Sequence, residues 1–192
     1  MDKKSDSLKL GALLLIITAC AGLILGFAYS ITKDPIAKQT EKENNEAMKE
    51  ILTKAETFKK KEDAKLAENI LELNEAKIGN DTIGYAIKIQ TKGYGGKIDL
   101  MVGISKEGKV EGIKILNQSE TPGLGANSTN PNFYNQYKEK SIDKDIEVVK
   151  TKPSKDNEIQ AITGATITSR AVTSAVNEAV KYYKSELEGG SK

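Results

Sequence analysis

Three short stretches of this chain are too rich in glycine, serine and threonine to be explained by a hydrophobic core, and chemistry is to be sought there. They are Gly93-Tyr94-Gly95-Gly96, Glu120-Thr121-Pro122-Gly123-Leu124-Gly125 and Thr163-Gly164-Ala165-Thr166-Ile167-Thr168-Ser169. The third runs directly into a segment of helical periodicity, so its hydroxyls and backbone N–H groups stand at a helix N-terminus. Unpaired N–H donors and the positive end of the helix dipole stabilise a phosphate at such a position. Gly164 and Ala165 are small enough to let the backbone approach a bulky ligand. The plainer reading is an N-cap, since Thr or Ser before a helix is ordinary and worth about 1 kcal/mol. On spacing alone the cap is preferred. The second stretch is equally two-sided: glycines, a proline and a threonine often just make turns. Glu120 could accept a hydrogen bond from a ring N–H or lie in solvent.

Absences narrow the chemistry further. The chain has no histidine and no tryptophan, and its one cysteine is Cys20. Histidine-based nucleophile activation, general-base catalysis and metal ligation are excluded, as are an internal disulfide, a Cys-ligated zinc and an iron–sulfur site. Redox chemistry, if present, must come from an organic cofactor. A formal net charge of +2 gives no electrostatic footprint for nucleic acid. The lysines alternate with Glu and Asp, as on a solvated surface.

The elements that must position the three stretches follow from periodicity. Residues 82–89 alternate as a strand should, residues 98–104 form a second short apolar strand, and Gly108 marks a turn before a third at 110–116. Residues 146–149 read as another strand, and Phe133 opens a short helix. Val172, Val176, Ala179, Val180, Tyr183 and Leu187 fall on one face of a helix ended by Gly189-Gly190. The expected fold class is α/β (α+β), a small antiparallel-type sheet packed with helices and preceded by one N-terminal transmembrane helix.

That last helix is read from residues 10–32, which carry no charge. At ~1.5 Å rise per residue the run reaches roughly 34 Å, enough for a hydrocarbon core of about 30 Å. Lys9 and Lys33 bracket it, and Tyr29 sits where an interfacial aromatic is favoured. A cleaved signal peptide has a shorter apolar region. Ile17-Thr18-Ala19-Cys20 resembles a lipobox, but the residues after Cys20 stay apolar where a lipoprotein turns polar, so an uncleaved anchor is preferred. Gly22 and Gly26 have a spacing that permits close helix approach, or are simply glycines in a membrane helix. Lys3, Lys4 and Lys9 on one side nearly balance Lys33, Lys38 and Lys42 on the other, so charge leaves the orientation open. Asp34-Pro35 is expected to break the helix, and residues 36–61 to form a helical stalk with a weak apolar stripe. The expected division is a tail at 1–9, the span at 10–32, a stalk at 33–65 and a ligand-binding domain at 66–192.

Taken together, the three stretches resemble the FMN-binding domain found in the Rnf and Na+-translocating NADH:quinone oxidoreductase complexes. The family's [ST]-G-A-T reads here Thr163-Gly164-Ala165-Thr166, and its E-T-P-G-L-G matches Glu120 to Gly125 without substitution. Gly93-Tyr94-Gly95-Gly96 before an apolar strand looks like the family's as well. The resemblance covers nearly the whole chain, including one anchor followed by Lys-Asp-Pro. Length and the single anchor look most like the G subunit of the Rnf complex, which couples ferredoxin and NAD+ redox chemistry to ion transport.

The resemblance implies FMN attached by a phosphoester to Thr166, with Thr168 as the alternative acceptor. It implies that Glu120, Thr121, Gly123, Leu124 and Gly125 line the flavin, with Thr163, Gly164 and Ala165 completing the attachment motif and Thr168 and Ser169 near the phosphate. No residue is implied to be catalytic alone. The subunit relays electrons and does not itself bind ferredoxin, NAD or the pumped ion. The implied partners are the other Rnf membrane subunits and a flavin transferase for maturation. The implied location is a bacterial cytoplasmic (inner) membrane, single-pass, with the domain extracytoplasmic. The chain departs from the wider attachment motif at Gln160, where an Asp is common. The alternative is a stand-alone extracytoplasmic flavoprotein for electron transfer or redox sensing.

Overall fold

The computed structural model describes residues 3–188, and their side chains from Leu8 onward. The chain divides after Lys42 into two units. The first consists of the greater part of helix α1 (Lys3–Ile51), whose most apolar window has a mean hydropathy of 2.5 with no part of it buried. Among the described residues, it is the one helix long and apolar enough to cross a membrane. Three hydroxyls of its apolar run are satisfied internally: Thr18 donates to the carbonyl of Leu14, Ser30 to that of Phe27 and Thr32 to that of Ala28. The break expected at Asp34-Pro35 does not occur. Pro35 lies inside α1. It removes one i→i−4 bond, but the Ala, Lys, Gln and Glu on its C-terminal side are good helix formers that carry the helix on.

The expected stalk is also corrected. The helix stops at Ile51, and Thr57–Lys60 form an edge strand, β1. The end of α1 belongs to the second unit, which begins at Glu43. There, Ala47, Met48, Ile51 and Leu52 bury themselves against Ala76, Ala86 and Met101. The helix can come this close because Ala86, Gly103 and Gly112 face one another across three adjacent strands. A Cβ on Gly103 would lie 3.1 Å from Leu52 Cγ.

The sheet of this unit is an antiparallel meander in the order β1-β2-β3-β4-β5-β6. Its strands after β1 are β2 (Ile70–Ile78), β3 (Asp81–Lys92), β4 (Lys97–Ser105), β5 (Lys109–Gln118) and the short β6 (Lys140–Ser141). Strand β2 is not anticipated by its sequence, because ILELNEAKI is dominated by residues that favour helix or turn. Pairing with β3 overrides that preference. After β5 come three short helical turns, of which α2 (Pro131–Tyr134) lies between 3-10 turns at Gly125–Thr129 and Asn135–Tyr137, and then a parallel pair, β7 (Glu147–Val149) with β8 (Glu158–Gln160). The chain then enters α3 (Thr166–Tyr182), which continues as a π-type turn over Tyr183–Leu187. Gly189-Gly190, expected to end this helix, lie outside the described residues.

Helix α3 packs on β3 and β4, and its six expected core residues are all buried. Each fully buried aliphatic side chain of this kind contributes roughly 1.5–3 kcal/mol. Tyr85 meets Tyr183 at a centroid separation of 5.9 Å, and Phe133 meets Tyr137 edge-on at 5.7 Å. Asn177 ties α3 to the start of β7, accepting from the Ile146 N–H at 2.9 Å and donating to its carbonyl at 3.0 Å. Two faces of one sheet are thus covered, by α3 on one side and by the last turns of α1 on the other.

Candidate functional site

Strand register brings the three glycine-rich stretches to one end of the sheet. The β3–β4 hairpin tip holds residues 93–96, closed by the Gly93 N–H donating to the Gly96 carbonyl at 2.8 Å. Ile98, just inside β4, pairs with Gln118 at the end of β5, so the loop from Ser119 emerges beside that tip. Strand β8 delivers the chain to the same place, where α3 begins. Between these segments lies a cleft of about 410 Å3, within the range of small-ligand sites.

Glu120 holds the three segments together. It is buried, with 6% of its surface exposed. Its Oε1 accepts from the Gly95 N–H at 2.8 Å and its Oε2 from the Thr168 hydroxyl at 2.6 Å. Its own N–H donates to Gln118 Oε1 at 2.6 Å. Glycine is demanded around this carboxylate by space. A Cβ on Gly125 would strike Glu120 Oε2 and Thr168 Oγ1, and one on Gly93 would strike Glu120 Oε1. Each carboxylate oxygen has a second lone pair, so Glu120 retains acceptor capacity toward the cleft that it lines.

The start of α3 is uncapped. The N-cap is Ala165, with no side chain accepting from the first turn, so the Thr-cap reading does not describe this helix end. Gly164 has φ +77, a left-handed conformation that favours glycine, and a Cβ there would also meet Leu124 Cδ2 at 3.0 Å. Thr166 is the first residue of α3 and is half-buried at the cleft wall.

Not every expected residue faces this cleft. Glu120, Thr121, Leu124 and Gly125 line it from the β5 side, and Gly164, Ala165, Thr166 and Thr168 from the α3 side. Gly123 and Thr163 instead border a neighbouring groove with Gln160 and Gln136. Ser169 is fully buried: it accepts from the Ile162 N–H at 2.9 Å and donates to the Ala165 carbonyl at 2.9 Å. Its role is to shape the turn that presents Thr166. Thr173 donates to the Ser169 carbonyl at 2.9 Å, so the 2.7 Å bond between Tyr137 and Thr173 has the tyrosine as donor. Burial pushes the Tyr137 phenol well above its ordinary range, which keeps it a proton donor.

Tyr94 and Ile167 line the cleft without having been singled out. Both sit inside motif stretches, but exposure of an apolar side chain toward a cleft is not a property of spacing. Gln160 is exposed at the end of β8, where Gln136 spans its backbone, accepting from its N–H at 2.7 Å and donating to its carbonyl at 3.2 Å. Glu158 turns to the other side. Its buried carboxylate accepts from Ser154 and Lys155 N–H groups at 2.8 and 3.3 Å. The Ser154 N–H foremost among these donors holds its pKa below the ordinary 4.5. No group of His, Cys, Asp and Glu among the described residues is arranged to hold a metal.

The chain matches the FMN-binding domain model over residues 93–181, a span that includes all three stretches and nearly all of α3. It is 40% identical over 161 residues to the G subunit of the proton-translocating ferredoxin:NAD(+) oxidoreductase complex of Clostridium ljungdahlii, covering 84% of this chain and 83% of that protein. It is 38% identical over 189 residues to the G subunit of the Na(+)-translocating complex of Acetobacterium woodii, covering 92% and 91%. Among solved structures, it resembles the C subunit of the Na(+)-translocating NADH-quinone reductase of Parabacteroides distasonis with a TM-score of 0.51 and 26% identity, over 59% of this chain and 60% of that one. NqrC of Shewanella oneidensis, at 21% identity and a TM-score of 0.51 over 66% and 64%, shares the fold.

Proposed function

The chain belongs to the G-subunit family of ion-translocating ferredoxin:NAD(+) oxidoreductase complexes, and from that premise we propose a membrane-anchored electron-transfer subunit with FMN esterified to Thr166. The observation that carries this reading is the uncapped first turn of α3, with the Thr166 side chain on the wall of the adjoining cleft. When bound, FMN supplies one- and two-electron redox chemistry that the chain's own side chains do not.

The residues present fit the group. The first turn of α3, with no side-chain cap, leaves N–H donors for a phosphate, Gly164 keeps the adjoining backbone free of a side chain, and Leu124, Ile167 and Tyr94 give the cleft apolar walls. Among the described residues, no Lys or Arg lines the cleft. A phosphate held without a bond would meet only the helix end, equivalent to roughly +0.5 charge. Retention therefore falls to an ester at Thr166 Oγ. Glu120 lines the same cleft, its carboxylate oxygens accepting from the Gly95 N–H and the Thr168 hydroxyl. Thr168 is the poorer acceptor, since its hydroxyl proton is committed to Glu120 and its side chain is buried.

The remaining parts of the reading concern where the subunit works. The apolar run of α1 is the membrane anchor, and the domain lies on the extracytoplasmic side, where a covalent bond keeps a cofactor that no local pool would replace. A flavin transferase installs it, reaching the exposed Gln160 and Thr163. Electrons pass to and from other subunits of the complex.

The test is production with an active flavin transferase, full denaturation, and inspection of the gel band for flavin fluorescence. Wild type and Thr166→Ser are expected to fluoresce, and Thr166→Val to be dark while still folded. A fluorescent Thr166→Val band overturns the attachment site.

A further inference from the structure

Among the described residues, the large apolar side chains left exposed beyond α1 are Leu66, Leu71, Ile78, Tyr94, Leu124 and Ile167. Half of them, Tyr94, Leu124 and Ile167, line the one cleft at the start of α3. Tyr94 is the most exposed, at 74%. Its position is unusual for its type, since hairpin tips favour Gly, Asn, Asp and Ser, and a large exposed aromatic there contributes no packing.

The tip itself is pinned. Gly93 closes the turn onto Gly96, and Gly95 donates to the buried Glu120. The loop backbone is pressed so closely to its neighbours that a Cβ on Gly93 would strike Glu120 and one on Gly95 the Ser119 carbonyl. Tyr94 is therefore the single large side chain of an otherwise glycine-built tip, and it borders the cleft opposite the first turn of α3.

We propose that Tyr94 is a cofactor-contact residue, its phenol ring covering a face of the flavin ring system attached at Thr166. This rests on the attachment reading above. An aromatic ring offset-stacked on a planar heteroaromatic gains contact and excludes water from that face. Leu124 and Ile167 complete the apolar enclosure. A phenol in contact with a flavin also quenches its emission, by lending an electron to the excited ring and recovering it, which gives the contact a direct readout.

The experiment uses the full-length, flavin-loaded chain in detergent and compares wild type, Tyr94→Phe and Tyr94→Ala. Emission is normalised to flavin absorbance, and iodide serves as a solvent quencher. Tyr94→Phe is expected to raise emission several-fold while leaving iodide access unchanged, because the ring stays and the donor hydroxyl goes. Tyr94→Ala is expected to raise both emission and iodide access several-fold. Loaded Tyr94→Ala with the emission and iodide access of wild type overturns the contact, and assigns the exposed ring to something other than the flavin. A wild-type chain that carries no flavin after exposure to an active transferase overturns the attachment reading itself, a distinct result.

Discussion

At the scale of single residues, the site is governed by how little room surrounds Glu120. Two of the glycines near it are there because a side chain would collide with its carboxylate, not because a turn needs them. Gly125→Ala places a methyl group against Glu120 Oε2 and Thr168 Oγ1. Overpacking of this kind costs typically about 1–3 kcal/mol, and the displaced Thr168 sits within the first turn that presents Thr166. A lowered denaturant midpoint together with reduced flavin loading is expected. A variant with wild-type midpoint and loading would show that the Glu120–Thr168 bond is not a structural tie. The sequence exposes Glu120, Thr166 and their motifs openly, yet it does not reveal that Gly123, Thr163 and Ser169 turn away from the cleft while Tyr94 and Ile167 turn toward it.

At the scale of elements, the approach to Thr166 depends on β8, and β8 begins at a carboxylate-organised turn. Glu158 is buried and takes hydrogen bonds from the Ser154 N–H and hydroxyl and from the Lys155 N–H. These hold its pKa below the ordinary 4.5. The folded state therefore binds this proton less readily than the unfolded chain. Its stabilising contribution is complete above about pH 4.5 and is lost as pH falls through the lower folded value. Thermal melts from neutrality into acid should show Glu158→Gln less stable than wild type at pH 7, with the gap narrowing below pH 4.5. A gap independent of pH would mean that the ionised form is not what the turn recognises. The same scale explains why β2, like β1, β6 and β8, is concealed in the sequence. β2 carries Glu, Asn, Ala and Lys because its neighbours β1 and β3, not its own preferences, hold it extended.

For the molecule as a whole, the end of α1 lies on the sheet, so the unit that folds with the site starts near Glu43 and not beyond a free stalk. The proposed extracytoplasmic placement of the domain is tested by protease access. Externally added protease should degrade the domain in intact spheroplasts while a cytoplasmic marker survives. A protected domain, degraded only after lysis, would reverse the proposed orientation and remove the argument from cofactor retention.

The sequence by itself determined the apolar run, the strands with alternating or continuous apolar character, the amphipathic α3, and the two motifs that mark an FMN-binding domain. All of these depend on residue type at short spacing. Only the tertiary structure decided that α1 continues through Pro35 and closes one face of the sheet. Only it, too, tied three distant stretches to one carboxylate and turned Tyr94 toward the cleft. Those outcomes depend on the pairing of strands far apart in the chain and on the space left between packed backbones. Neither leaves a local pattern in the residues.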